Sequence, residues 1–282
     1  MSIVRMHPGI ATACAGAPPS REGTLDAGTW FVASGAHGVL RLCAFAGAPA
    51  PCHAVDAALA LHRCEPLLGA LDRWLGQDLA WRWSETPMPR AASATHAWVR
   101  WTRADAELEC MLALPWSLMR SLPAPPEELA SCLQWPDVPV MLVVSQCRID
   151  AEELQLLEPG GAVVLAESLQ RPWHGVLRAA DEPAWPGAGV RVVLDPPSTP
   201  RLAGSIAARD EAPGMCEVRV ATSRSVSGDR LAGWFTDEAI GEVGPLAGLW
   251  RCAEPAQWLA SGRLMPWGDG WALHIESTCA PL

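Results

Sequence analysis

The chain has 282 residues, 50% of them hydrophobic, and a formal net charge of −10 at pH 7, enough apolar side chain to build two buried cores. It contains no Lys, no Asn and no Tyr, which excludes any chemistry that depends on a P-loop lysine, a Schiff-base lysine or a tyrosine acid. Residues 1–130 carry 10 Arg against 12 acids and residues 131–282 carry 11 against 19, a balance that argues against nucleic-acid binding and suits a partner with a basic surface.

Taken in order, residues 1–28 are rich in Ala, Gly, Pro and Thr without a period, and are expected to form a loosely held arm. His7, Pro8 and Gly9 interrupt the apolar core that a signal peptide needs. No apolar run approaches the ~18 residues that span a bilayer, so a cytosolic chain without direct membrane insertion is expected. Between Trp30 and Phe45 two apolar segments flank Ser34-Gly35-Ala36-His37-Gly38, a hairpin pattern, and Pro49 to Pro51 reads as a loop. Val55 to Leu79 holds helical spacing in two pieces, with Leu67, Leu68, Leu71 and Leu75 on one stripe and Pro66 opening the second piece. Trp81 with Trp83, then Trp98 to Trp101, then Leu108 to Leu114 read as strands, the last stopped by Pro115. The tryptophan-rich face reads as packed core or subunit contact rather than as a stacking platform, because few polar side chains flank it. Pro125-Pro126-Glu127-Glu128 opens a short helix to Leu133 that links two domains.

The stretch from Trp135 to Glu167 organises the C-terminal half of the chain. Val138, Val140, Leu142 and Val144 alternate with Pro139, Met141 and Val143, both sets apolar, which predicts a strand buried on both faces. After Ser145 to Asp150, the residues Glu152, Glu153, Leu154 and Leu157 predict one helical turn broken by Pro159-Gly160-Gly161, and Ala162 to Ala166 a second buried strand. Trp173 to Leu177 and Val190 to Leu194 read as strands around a Pro/Gly-rich turn, and Asp195 to Gly214 as a linker. Cys216 to Val220 is a strand, Asp229 to Trp234 a turn, and Trp258 to Glu276 a hairpin about Gly268-Asp269-Gly270.

No catalytic or nucleotide-binding motif is present, and the seven histidines are dispersed; His174 and His274 fall in strand-like segments. The ten cysteines are scattered without a C-x-x-C pair, and Cys43, Cys110 and Cys147 lie inside apolar strand patterns, so reduced core thiols are expected. The one local Cys/His group is Cys52, His53, His62 and Cys64. As a zinc site it would need adjacent Cys52 and His53 to coordinate together, which is poor geometry. No catalytic residue, metal or cofactor is expected, and a binding or assembly protein is the better reading.

The order of strand "VPVMLVV", "EEL..L" turn, Gly-rich break and "VVL" resembles the surface-presentation-of-antigens (SPOA) domain shared by flagellar motor-switch proteins and the cytoplasmic ring protein of type III secretion systems, although Cys147 stands where that pattern carries a glycine. A fainter second copy runs from Cys216 through Gly262-Arg263-Leu264 and Gly268-Asp269-Gly270 to Ile275. The resemblance implies an α+β N-terminal domain (1–130), a first mainly-β SPOA domain (135–195), a linker (196–214) and a second SPOA domain (215–282), the two copies intertwining as a pseudo-dimer. Val140, Leu142, Val144, Leu154, Leu157 and Leu165 of one copy would pack on Val218, Val220, Leu231, Leu264, Leu273 and Ile275 of the other. It further implies a structural adaptor of the secretion sorting platform, cytoplasmic and peripheral at the inner membrane. Its partners would be the stator protein and export ATPase complex, a basal-body adaptor, effector-chaperone complexes, and the chain's own short C-terminal product translated from Met215. Two copies in one chain favour this over a flagellar motor switch; an enzyme or zinc protein with a site near residues 52–64 is the alternative of another class.

Overall fold

Alternating apolar residues dominate the chain, and the result is a mainly β fold with two antiparallel sheets. The computed structural model describes residues 28–35, 38–45, 53–84, 96–102, 109–180, 188–208, 215–220, 222, 225–252 and 257–279. Residues 1–27 of the expected arm, the loop at Pro49–Pro51, Cys52 and residues 209–214 of the expected linker lie outside these. Two compact units are formed, Met1–Val138 with Ser227–Ala232, and Pro139–Val226 with Gly233–Leu282.

In the first unit the predicted hairpin forms from β1 (Thr29–Gly35) and β2 (Gly38–Phe45), in register from Thr29 opposite Ala44 to Gly35 opposite Gly38. The helical stripe folds as α1 (Ala54–Arg63) and α2 (Glu65–Leu75), divided at Cys64, with Pro66 in the first turn of α2 where a missing N–H costs nothing. β3 (Arg82–Ser84), β4 (His96–Thr102) and β5 (Glu109–Pro115) come next, then α3 (Trp116–Ser121), α4 (Glu127–Ala130) and β6 (Leu133–Gln134). The sheet order is β3-β1-β2-β5-β4-β6. The helices cover the face that carries Cys110, since the Cys64 and Cys110 sulfurs lie 3.5 Å apart and Ala57, Ala60, Leu67 and Leu71 are buried. On the other face Trp30 meets Trp98 edge-on at 6.0 Å, and together with Cys43, Met111 and Ala113 they form a buried cluster. α3 has no counterpart in the sequence pattern: at Pro115 the chain turns directly into a helix that buries Trp116, Leu118 and Met119.

The second unit begins within β7 (Asp137–Arg148), whose central residues Leu142 to Ser145 are all buried, as expected of a strand covered on both faces. α5 (Ala151–Gln155) is the expected helical turn. A capping box closes it: the Asp150 carboxylate accepts from the Glu152 and Glu153 backbone N–H groups at 2.9 and 2.8 Å, and the Glu153 carboxylate accepts from Asp150 N–H at 3.0 Å. Then come β8 (Ala162–Leu165), β9 (His174–Ala179), β10 (Ala188–Val193), β11 (Arg201–Ala208), β12 (Met215–Val220), β13 (Ser225–Ser227), β14 (Thr236–Ala239), β15 (Leu246–Arg251), β16 (Gln257–Trp267) and β17 (Gly270–Thr278). They make an 11-stranded sheet in the order β14-β11-β10-β9-β7-β12-β15-β16-β17-β8, with β13 pairing β7 off this path. Both edge strands are far in sequence from the strands they join: β8 pairs with β17, and β14 with β11. β16 and β17 form the hairpin predicted about Gly268-Asp269-Gly270, with Trp267 opposite Gly270.

Several expectations are corrected. The linker over 196–214 is not one: Arg201–Ala208 is strand β11, bonded to β10 on one side and β14 on the other. Its alternation is masked by Gly204, which sits at φ 64 in the stretch Leu202–Ile206 where the register with β10 shifts. The first compact unit runs on to Val138, past the expected boundary at 130, and Pro139–Val226 with Gly233–Leu282 forms one unit. Ala162–Leu165 is an edge strand rather than a buried one, with Val164 50% exposed and only Leu165 fully buried. β14 and β15 are additions to the expected set of strands.

Burying a Leu side chain contributes about 1.5–3 kcal/mol, and Leu142 and Ile275 lie at 0% and 1% exposure in the second unit. Leu142→Ala is expected to lower stability by about 2–5 kcal/mol, and Leu142→Asp or Ile275→Asp to prevent residues 139–282 from folding, because a lone buried charge costs about as much as a small domain's whole stability. Urea unfolding of the purified variants checks this, and wild-type midpoints for both Asp variants would refute it.

Candidate interaction surface

Strands β7 and β12 meet at the middle of the second sheet, and Leu142 to Ser145 and Cys216 to Val220 are buried along that joint. Leu142 stands opposite Val220, Val143 opposite Arg219, Gln146 opposite Glu217 and Cys147 opposite Cys216. Of the twelve side chains expected to pack the two copies together, Val140, Leu142, Val144, Leu165, Val218, Val220, Leu231, Leu273 and Ile275 are buried. Leu154, Leu157 and Leu264 are only half-buried, since α5 and the outer part of β16 each show one flank to solvent. Leu231 is a correction of another kind: its 3-10 turn, Gly228–Ala232, belongs to the first unit, where Gly228 N–H donates to the Pro136 carbonyl at 2.9 Å.

The joint also holds charge. Glu217 is 0% exposed, and Arg178 and Arg219 are 4% exposed. Arg178 Nη1 donates to Glu217 Oε1 at 2.7 Å, while Arg219 donates to Oε2 through Nε at 2.9 Å and Nη2 at 2.7 Å. Gln146 Nε2 adds a bond to Oε1 at 3.1 Å. The Arg219 guanidinium lies 4.5 Å from the Trp250 ring centroid, and Trp258 meets Trp250 edge-on at 5.0 Å. Burial alone would raise the Glu217 pKa; the two guanidinium groups and the hydrogen bonds outweigh it and hold the carboxyl below its ordinary range. Sequence reasoning missed this cluster. The available signal was Glu217 and Arg219 two apart on a strand, a spacing that puts both on one face.

A second feature lies at the β8 end of the sheet. Val164 stands opposite Ala272, and Ala272 opposite Met265, in one cross-strand row. Two residues further along, on the same face, Trp267 stands opposite Gly270. Leu169 closes over Gly270, where an added Cβ would come within 2.9 Å of its Cδ2. Val164, Leu169 and Trp267 remain 50%, 59% and 51% exposed, so this end of the sheet presents adjoining apolar side chains to solvent.

The Cys/His group does not assemble among the described residues. Cys64 is fully buried against Cys110, His62 is exposed and pairs with Glu65 at 3.1 Å, His53 is exposed, and Cys52 lies outside them. Among the described residues no three His, Cys, Asp or Glu side chains form a group that holds a metal. Burial pushes the Cys43 and Cys147 thiols up to about 12 and Cys216 to about 11, which favours the protonated thiol at neutral pH. His174 and His274 lie in β9 and β17, exposed and half-exposed respectively. No helix among the described residues is long and apolar enough to cross a membrane.

Since the folded-state pKa of Glu217 is depressed, the stabilisation it supplies is complete above the ordinary carboxylate range and is lost as pH falls through the lower folded-state value. Glu217→Gln is expected to cost roughly 3 kcal/mol at pH 7 by removing the buried carboxylate that accepts from two buried guanidinium groups. That difference should shrink as the pH drops below the carboxylate range. Denaturant midpoints of both proteins across pH test it, and a pH-independent gap would rule the assignment out.

No family model, no curated protein and no solved structure matches the chain.

Proposed function

We propose that the chain is a structural adaptor of the cytoplasmic sorting platform of a bacterial type III secretion system, acting by binding and without catalysis. In this reading residues 1–138 make an α+β N-terminal domain, and the remainder is two SPOA segments intertwined as a pseudo-dimer. The observation that carries it is the strand order of the second sheet. Matching β7, β8, β9, β10 and β11 to β12, β14, β15, β16 and β17 turns the order β14-β11-β10-β9-β7-β12-β15-β16-β17-β8 into its own reverse. Two repeats related by a two-fold axis between β7 and β12 have this property, and each lends its short strand, β8 or β14, to the far edge of the other. A segment of about 65 residues buries too little surface to be stable alone, which gives the exchange its physical reason.

An adaptor needs a place to hold its partners, and the exposed row of Val164, Leu169 and Trp267 is the surface assigned to that role. An apolar segment of the stator protein that carries the export ATPase would cover it. The test is to immobilise the full chain and challenge it with the stator and ATPase proteins of the same bacterium. Wild type is expected to retain them, and Trp267→Glu with Val164→Asp to reduce retention by at least about tenfold, a loss of roughly 1.4 kcal/mol or more, with the thermal midpoint little changed. Failure of the wild-type chain to retain either protein would overturn the functional reading.

Met215, the first residue of β12, stands where translation from an internal start would yield β12 to β17 and little else. Such a product exposes its half of a shared core and must find a second copy. With a C-terminal tag on the native coding sequence, a short tagged product is expected from wild type and not from Met215→Ile; its absence in both, or persistence in the variant, would dismiss the internal start.

A further inference from the structure

The proposed repeat can be laid out residue by residue, and the buried charges do not obey it. Val140 and Leu142 of β7 stand opposite Ala179 and Leu177 of β9; Val218 and Val220 of β12 stand opposite Leu249 and Ala247 of β15. Leu142 and Val220 face each other across the joint, so the two-fold axis exchanges them. In this match Arg178 stands where the C-terminal half has Gly248, since Arg178 is opposite Met141 and Gly248 opposite Arg219. Glu217 and Arg219 stand where the N-terminal half has Pro139 and Met141. The Arg178–Glu217–Arg219 cluster is therefore assembled from one half's guanidinium and the other half's ion pair, and has no counterpart on the far side of the axis.

We infer that this cluster selects which half pairs with which, favouring the Arg178-bearing half (β7 to β11) against the Glu217-bearing half (β12 to β17) over either half paired with a copy of itself. The inference rests on the two-repeat reading above. If two N-terminal halves paired, each Arg178 would enter the joint facing Met and Pro where Arg219 and Glu217 now stand, and would lose the Glu217 carboxylate that accepts from it at 2.7 Å. If two C-terminal halves paired, each Glu217 would keep Arg219 of its own strand and lose Arg178. In the place of Arg178 it would find Gly248, where an added Cβ would meet the Trp258 ring at 2.7 Å. Only the mixed pairing keeps the Arg178–Glu217 bond; either like pairing loses it. A buried charge placed to penalise wrong partners in this way sets specificity as much as stability.

Full-length chains test this by exchanging the charges. Arg178→Glu sets two carboxylates together, Glu217→Arg sets three guanidinium groups together, and each is expected to lower the thermal midpoint by about 10 °C or more. The double exchange restores one carboxylate between two guanidinium groups and is expected to recover at least half of that loss. The decisive arm co-expresses Arg178→Glu and Glu217→Arg chains under different tags. Each half of one then complements a half of the other, so the two variants should co-purify about tenfold above either variant with itself or wild type with wild type. Recovery in the double exchange without association in trans would show an ion group that only stabilises the fold, sinking the selectivity inference while the two-repeat reading stands. A double exchange no more stable than the single variants would overturn both the complementarity and the assigned positions.

Discussion

A carboxylate with no exposed surface in the central strand of a large sheet is the constraint to which the rest of residues 139–282 conforms. Glu217 lies on β12, and the guanidinium groups that bond it come from β9, two strands away, and from its own strand. Moving a lone carboxylate out of water costs several kcal/mol, so β9, β7 and β12 must be adjacent and in register for the sheet to exist at all. One residue of slip would turn Arg178 to the opposite face. Aliphatic pairs such as Leu142 with Val220 supply cohesion here, but they would tolerate a shifted partner far better than the ion cluster does.

The edges of the same sheet are handled in opposite ways. β14, Thr236–Ala239, is short and acidic, has Asp237 at φ 61, and meets β11 with a register shift, all features that discourage a further strand. β8 reads AVVL, leaves Val164 half-exposed, and has Leu169 and Trp267 beside it. Under the proposed two-repeat arrangement these strands are equivalents, so the difference between them is a difference of surface chemistry on one backbone plan. It would give the proposed adaptor one closed edge and one edge that presents apolar side chains.

In the first unit the fold is governed by simpler packing. One face of the sheet is closed by α1 and α2 through small and branched residues, and the other by indoles, with Trp30 and Trp98 lying across Cys43, Met111 and Ala113. Glycines matter at few places; Gly76 ends α2 in the left-handed region at φ 65, which spares the chain the cost of a Cβ there.

Local signals determined a good part of this protein. The stripe through Leu67 and Leu71 with Pro66, the doubly apolar run Val138–Val144, the helical turn at Glu152–Leu154 and the Gly268-Asp269-Gly270 turn each act over fewer than about ten residues, and each appears where the sequence places it. Elements that depend on distant partners were not legible. β15 is interrupted in sequence by Gly248, and the missing side chain is supplied by the Trp258 ring from the next strand. β11 has the composition of a linker because its pairing is with β10 and β14 rather than with anything that marks it locally. Glu217 and Arg219 have the spacing of a solvent-facing pair, and only the placement of β9 beside β7, carrying Arg178 under them, makes that face an interior. Charge patterns report burial only after the tertiary fold has chosen the neighbours, because the energy of a buried ion is set by its partners and not by its own strand.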